Sequence, residues 1–215
     1  MKKHVVLVAL PLLFSTIGFS YELDQVLFQI DKNEKAAKTV KFEFTQEVSF
    51  TGTDMKSQVK GEALFSKPRK LMIRKISPEE QVTISNGDKM WIYTPAYNQV
   101  WEGRWQDWVH ASMLPSGLLP VNEFVADLKE NFNLRLESGK NDKEVRLLAD
   151  SRDPSSKIRL EFTISTESWF PVETVFDSET AKIVTALVGL ETNVDIPESS
   201  FNFSPPKGAE IISMN

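Results

Sequence analysis

Between Gly61 and Val100 the chain reads GEALFSKPRKLMIRKISPEEQVTISNGDKMWIYTPAYNQV, and almost every break in this stretch carries its own signal. Lys67-Pro68 ends one segment, because proline has no N–H to give to a strand ladder. Ser77-Pro78 marks the next break. Asn86-Gly87 is the pair that a two-residue hairpin turn prefers, since its central positions need positive φ. Lys89 to Thr94 is rich in β-forming side chains, and Pro95 stops it. Punctuation this close leaves room for consecutive short strands joined by tight turns.

The same period of two returns elsewhere. Val40, Phe42, Phe44 and Val48 alternate with Lys41, Glu43, Thr45 and Glu47, and Val59, Gly61, Ala63 and Phe65 follow suit. Ile158, Leu160, Phe162 and Ile164 alternate with the charged Lys157, Arg159 and Glu161. Further strands are expected near Leu134–Leu136, Val145–Leu148, Val172–Phe176 and Ile183–Leu190. About a dozen short strands separated by turn signals predict an antiparallel sheet, with one face wet and the other apolar.

Helical spacing interrupts the pattern twice. Leu23, Val26, Leu27 and Ile30 form one apolar face of a helix running to about Lys38. Trp105, Trp108 and Val109 have helical spacing, Leu114 to Pro120 reads as a loop, and Val121, Phe124, Val125 and Leu128 share a face of a second helix. Such helices could cap the mouth of a curved sheet or complete a solid core. On apolar faces alone, the solid core is the commoner outcome.

The first 20 residues read as an address. Lys2 and Lys3 supply a positive start, Val5 to Phe14 an apolar run, and Gly18-Phe19-Ser20 the small residues a signal peptidase needs. The apolar run is too short to span a bilayer as a helix, so the mature protein is expected to be soluble. The chain has no cysteine, hence no lipid attachment at the cleavage site, no disulfide and no thiol chemistry.

Residues 21–215 fit one domain, with no repeat or linker to divide them. The formal charge of −5 becomes −7 once Lys2 and Lys3 are removed. An acidic domain without a basic cluster argues against nucleic acid or an anionic membrane surface as the main partner. His110 is the single histidine beyond the leader, so neither a His/Cys metal cluster nor an obvious triad is available. His110 reads as a packed or surface residue, and Glu79-Glu80 as solvated turn residues. With no Gly-rich phosphate loop either, nothing signals catalysis, a metal or a cofactor. Carboxylates meeting across the sheet stay open.

Trp91, Tyr93, Tyr97, Trp101, Trp105 and Trp108 crowd into 18 residues. Cross-strand packing accounts for such rings one at a time. As a group beside the helical insert, they could also line an apolar groove or anchor an interface.

The sequence G-E-x-x-F-x-K-P followed by P-E-x-Q-x-x-I-S-N-G-x-x-x-W-I-Y-x-P closely resembles the LolA family of periplasmic lipoprotein carriers. Phe201-Asn-Phe-Ser-Pro-Pro-Lys-Gly208 looks like that family's closing motif, so the likeness covers nearly the whole mature chain. It implies a mainly β, α+β fold: an incomplete antiparallel β-barrel of about eleven strands, with a helical lid over an apolar cavity. The implied task is to take lipoprotein acyl chains from the inner membrane, shield them across the periplasm and deliver them to the outer membrane. The partners would be lipoproteins, an inner-membrane lipoprotein-releasing ABC complex and an outer-membrane acceptor lipoprotein, served by a monomer that is not an enzyme. A relative that senses lipoprotein or carries another lipid on the same scaffold is the alternative.

The resemblance also assigns residues. Lys67 stands where the family typically has an arginine tying the strand to the lid; here it is expected to donate to carbonyls of the Leu114–Pro120 loop. It keeps the charge but loses the planar donor fork, so the latch should be weaker. Leu71 falls at an exposed apolar position near the mouth that contacts the loading complex. The expected lining is Leu23, Val26, Leu27 and Ile30 from the lid helix, with Phe42, Phe44, Val59, Phe65, Ile73 and Ile92 from the sheet. A slip of one residue in register would exchange these faces.

Exported protein should begin at Tyr21 and stay in the soluble periplasmic fraction. Intact-mass measurement decides it, and a species that keeps the leader, or partitions with membranes, contradicts the reading.

Overall fold

The computed structural model describes residues 21–106 and 124–214. Helix α1 (Leu23–Ala36) opens the chain, followed by β1 (Thr39–Phe50), β2 (Lys56–Ser66), β3 (Lys70–Ser77), β4 (Gln81–Asn86), β5 (Lys89–Thr94) and β6 (Gln99–Arg104). After α2 (Phe124–Asn131) come β7 (Phe132–Ser138), β8 (Glu144–Ser151), β9 (Arg159–Ser165), β10 (Pro171–Asp177), β11 (Ala181–Thr192) and β12 (Glu210–Ser213).

All 12 strands join one sheet in the order β12-β6-β5-β4-β3-β2-β1-β11-β10-β9-β8-β7. The sheet curves without closing, because β7 and β12 remain as separate edges. Every neighbouring pair is antiparallel except β12, which lies parallel to β6 and pairs Ile211 with Val100. That parallel edge departs from the purely antiparallel sheet expected. β11 lies mid-sheet beside β1 and runs in the same direction as β6, so the segment after it crosses back past β1–β5 before β12 begins in that same direction.

The two-residue alternation puts the apolar side chains on one face, as direct cross-strand partners share a face. One row runs Phe42, Ala63, Ile73, Thr83, Ile92 and Trp101 across six strands. The row beside it runs Leu187, Phe44, Gly61, Lys75 and Gln81. On the other half of the sheet Leu136, Leu147, Phe162 and Thr174 form the matching inner row.

Both helices lie on this inner face. Val26, Leu27 and Ile30 of α1 and Val125 and Leu128 of α2 pack with Val145, Leu147, Ala149, Leu160, Phe162 and Ile164. The Phe124 ring meets Phe162 edge-on, with centroids 5.1 Å apart. A second inner cluster holds Val40, Phe42, Phe44, Phe65, Leu71, Ile73, Phe170 and Leu187.

The opposite face of β4–β6 is covered too. Ile84, Trp91 and Val100 are buried there, and Phe203 of the C-terminal segment sits 6.0 Å from the Trp91 ring and 5.8 Å from Tyr93. The opposite face of β7–β9 carries ion pairs instead: Arg135 and Arg159 both reach Asp150, and Arg146 bridges Glu137 and Glu161.

The turn between β4 and β5 is a two-residue connection, but its central residues are Gly87 and Asp88, one position later than the Asn86-Gly87 pair expected. Ser85 pairs with Met90, and the Asn86 Oδ1 accepts from the amides of Asp88 at 3.0 Å and Lys89 at 2.9 Å. Gly87 alone takes positive φ, at 102°. The asparagine thus sits just before the turn and braces it with its side chain.

Gly61 is required by packing. A Cβ there would lie 2.4 Å from the Arg74 carbonyl oxygen and 2.5 Å from the Phe44 ring. Gly61→Ala should cost about 1–3 kcal/mol through overpacking, read as a lower urea midpoint with the slope unchanged. An unshifted midpoint would mean that the Phe44 ring yields freely.

Candidate functional site

The candidate site is the inner face of the sheet, over which α2 and the longer α1 both lie. At the N-terminal end of α1 Tyr21 stacks edge-on against Trp169, with centroids 5.4 Å apart. Trp169 reaches that position with φ at +59°, which a bulky residue seldom adopts. Its amide is held by the Ser165 carbonyl at 2.8 Å.

The C-terminal end is tied by hydrogen bonds. The last carbonyls of a helix have no partner within it and carry partial negative charge, so donors and cations gather there. The Lys67 ammonium donates to the Glu34 carbonyl at 2.5 Å, and the Lys67 amide donates to the Lys38 carbonyl at 2.9 Å. Asn193 Oδ1 accepts from the Lys38 amide at 2.8 Å, while the Asn193 amide donates to the Thr39 carbonyl at 2.8 Å. Lys67 thus bonds the first helix. The Leu114–Pro120 loop, its expected acceptor, lies outside the described residues, as do Trp108, His110 and Val121.

The expected lining residues come together, in unequal depth. Val26, Leu27, Ile30, Phe42, Phe44, Phe65 and Ile73 are buried. Leu23 and Val59 are half-buried at the margins of the two inner clusters. Ile92 shares the inner row with Phe42 and Ile73 and is half-buried. Farther along that row Trp101 is 39% exposed. The wall is therefore sealed under β1–β3 and partly open under β4–β6.

Leu71 requires a correction. It pairs with Phe65 and Ser85 on the inner face and is 1% exposed, so it offers no surface to a partner in this conformation. The residues Leu71, Ile73 and Lys75 alternate onto the inside, whereas Met72, Arg74 and Ile76 face outward. Ile76, at 59% exposure, is the apolar side chain this strand shows to solvent.

The aromatic group divides between the two faces. Trp91 and Tyr93 pack under Phe203 on the outer side, Trp105 leans on the inner cluster with Phe42, and Tyr97 is exposed. Among the described members of the group, only Trp101 presents a ring to the open part of the inner row.

A polar patch on this wall escaped the pattern reading. Lys75 lies between Gly61 and Gln81 in the inner row, and its ammonium donates to Gln81 Oε1 at 3.0 Å. Gln81 Nε2 continues to Thr94 Oγ1 at 3.4 Å. Burial pushes the Lys75 ammonium below the ordinary lysine value. The strict alternation from Leu71 was the signal that could have placed it inside.

Among the described residues no group of histidine, aspartate and glutamate could hold a metal, and no helix is long and apolar enough to cross a membrane. An open, curved sheet with helices laid over its apolar face defines a half-barrel built around an apolar interior. The chain belongs to the outer membrane lipoprotein carrier protein LolA family, whose model matches residues 35–204.

Curated relatives agree. The outer-membrane lipoprotein carrier protein of Dechloromonas aromatica is 28% identical over 181 residues, covering 83% of each chain. That of Nitrosospira multiformis is 29% identical over 180 residues, covering 82% of this chain and 83% of its own. Among solved structures, an uncharacterized conserved protein from Thermus thermophilus superposes with a TM-score of 0.57 at 15% identity, covering 89% of this chain and 98% of that one. MucB superposes with a TM-score of 0.53 at 15% identity, over 84% of this chain and 63% of its own. These two likenesses concern the fold.

Lys67→Met should free the end of α1. Losing a hydrogen bond worth about 1 kcal/mol speeds amide exchange about fivefold in the last helical turn, including Ala37 and Lys38. Lys67→Arg should restore protection. Unchanged exchange in Lys67→Met would reduce the contact to a surface charge.

Proposed function

We propose that this protein carries lipoproteins through the periplasm, from the inner membrane to the outer membrane, by shielding their acyl chains against the inner face of the sheet. Each CH₂ group kept from water is worth about 0.8 kcal/mol, so acyl chains do not cross an aqueous gap unaccompanied at a useful rate. Family membership supports the cargo class. The observation that carries the reading is an apolar wall covered by a helix that is held by a ring contact at one end and a hydrogen bond at the other and meets the wall between them through apolar side chains.

In this reading α1 is the lid and Lys67 its latch. The ammonium makes one point contact with the Glu34 carbonyl, where a guanidinium could make two parallel ones. A latch of that strength yields to an entering acyl chain and closes again to help expel it. The carrier needs no fuel of its own; an inner-membrane ABC complex loads it and an outer-membrane acceptor lipoprotein unloads it down a gradient of affinity. It works as a monomer after removal of residues 1–20 and catalyses no reaction.

Depleting the protein from its own host should leave outer-membrane lipoproteins in the inner-membrane fraction. Protein purified from the periplasm without detergent should bring triacylated lipopeptide with it, seen by mass spectrometry. Normal lipoprotein sorting after depletion, or a free lipid as the sole cargo, would replace the carrier by a lipid-binding relative on the same fold.

A further inference from the structure

Lys75 is out of place in a wall made only for hydrocarbon. It stands two residues from Ile73, which is 3% exposed, and directly opposite Gly61, over which the Phe44 ring lies. Its one hydrogen bond goes to a neutral amide, Gln81 Oε1, and among the described residues no carboxylate lies within ion-pair distance of it. The outward neighbour Arg74 pairs with Glu80, and the rim lysine Lys56 pairs with Glu47. Along its own row the next members are Gln81, Thr94 and Gln99, and the first acid is Glu210, already bonded to Gln99 Nε2 at 2.9 Å. Four strand spacings separate Lys75 from Glu210, or roughly 19 Å.

A partly desolvated ammonium without a counter-ion is costly, and the cost is recovered when an anion binds beside it. A methionine or leucine at this position would serve neutral acyl chains better.

We propose that Lys75, with Gln81 and Thr94 beside it, is a subsite for the anionic head of an amphiphile, a carboxylate or phosphate whose acyl chain lies along Phe44 and Ile73. The proposal rests on the reading of the inner face as an acyl-chain site and adds a ligand class to it. The ammonium forms the ion pair, and Gln81 and Thr94 offer an amide N–H and a hydroxyl to the remaining oxygens. The half-open wall under β4–β6 is where the head group keeps contact with water.

The test uses the mature protein and an environment-sensitive acyl probe displaced by dodecanoate or by 1-monolauroylglycerol, which share a chain and differ in charge. Wild type should bind dodecanoate about tenfold more tightly than the neutral ester. Lys75→Met should lose that preference and keep its affinity for the ester, and Lys75→Arg should retain the preference. Lys75→Gln, which keeps a polar group, guards against misfolding of the methionine variant and should behave as it does. Acetate and inorganic phosphate, which lack a chain, should not displace the probe at the same concentrations.

Equal affinities in wild type, or a preference that survives both Lys75→Met and Lys75→Gln, overturns the subsite while leaving the acyl-chain site standing. Displacement by the chainless anions overturns it in favour of a free-anion site. If neither amphiphile displaces the probe from wild type, the acyl-chain reading fails and the subsite fails with it.

Discussion

The structure depends on keeping a two-residue period in phase between strands that are far apart in the chain. Phe44 pairs with Leu187 and with Gly61, and both partners face inward only because β1, β2 and β11 hold their register. A shift of one residue in any of them would turn its apolar set to water and its charges to the core. Irregularities are tolerated at defined places, between Lys41 and Glu43, between Lys60 and Gly61 and between Pro171 and Glu173, and the phase recovers after each. Gly61 shows how tight the fit becomes: the absent side chain is the space the Phe44 ring occupies.

The lid follows from that wall. The apolar face of α1 meets the sheet through contacts without direction, which can slide, and whose parting exposes apolar surface unless another apolar group takes its place. Its ends are held differently, by a ring pair at Tyr21 and by hydrogen bonds around Glu34 and Lys38. The strained backbone at Trp169 belongs to the same arrangement, because it aims the indole at Tyr21.

Much of this was legible. The spacing of Leu23, Val26, Leu27 and Ile30 fixed α1 and its buried side, and the alternations from Val40 and Ile158 fixed strands and faces, since both signals are local. Of the residues named from the sequence, those of the strands fall on the inner face of the sheet and those of α1 on the helix side packed toward it. What failed was non-local. Burial of Leu71 depends on Phe65 and the curvature that brings the inner cluster together. The outer cover on Trp91 comes from Phe203, more than a hundred residues later in the chain. The bond from Lys67 to the Glu34 carbonyl was not foreseen, because a backbone acceptor leaves no trace in the sequence. Lys75 was missed for the opposite reason: a lysine in a strand is ordinarily assigned to solvent before its phase is counted.

An unclosed barrel keeps two strand edges, and each is an invitation for another chain to extend the sheet. Here one edge ends in β12, only 4 residues long and lying parallel to its neighbour. The other, β7, carries Arg135 and Glu137, both engaged in ion pairs across to β8. Short length and fixed charge make poor templates for pairing. The protein can therefore leave its barrel open and still resist growing into fibrils at that seam.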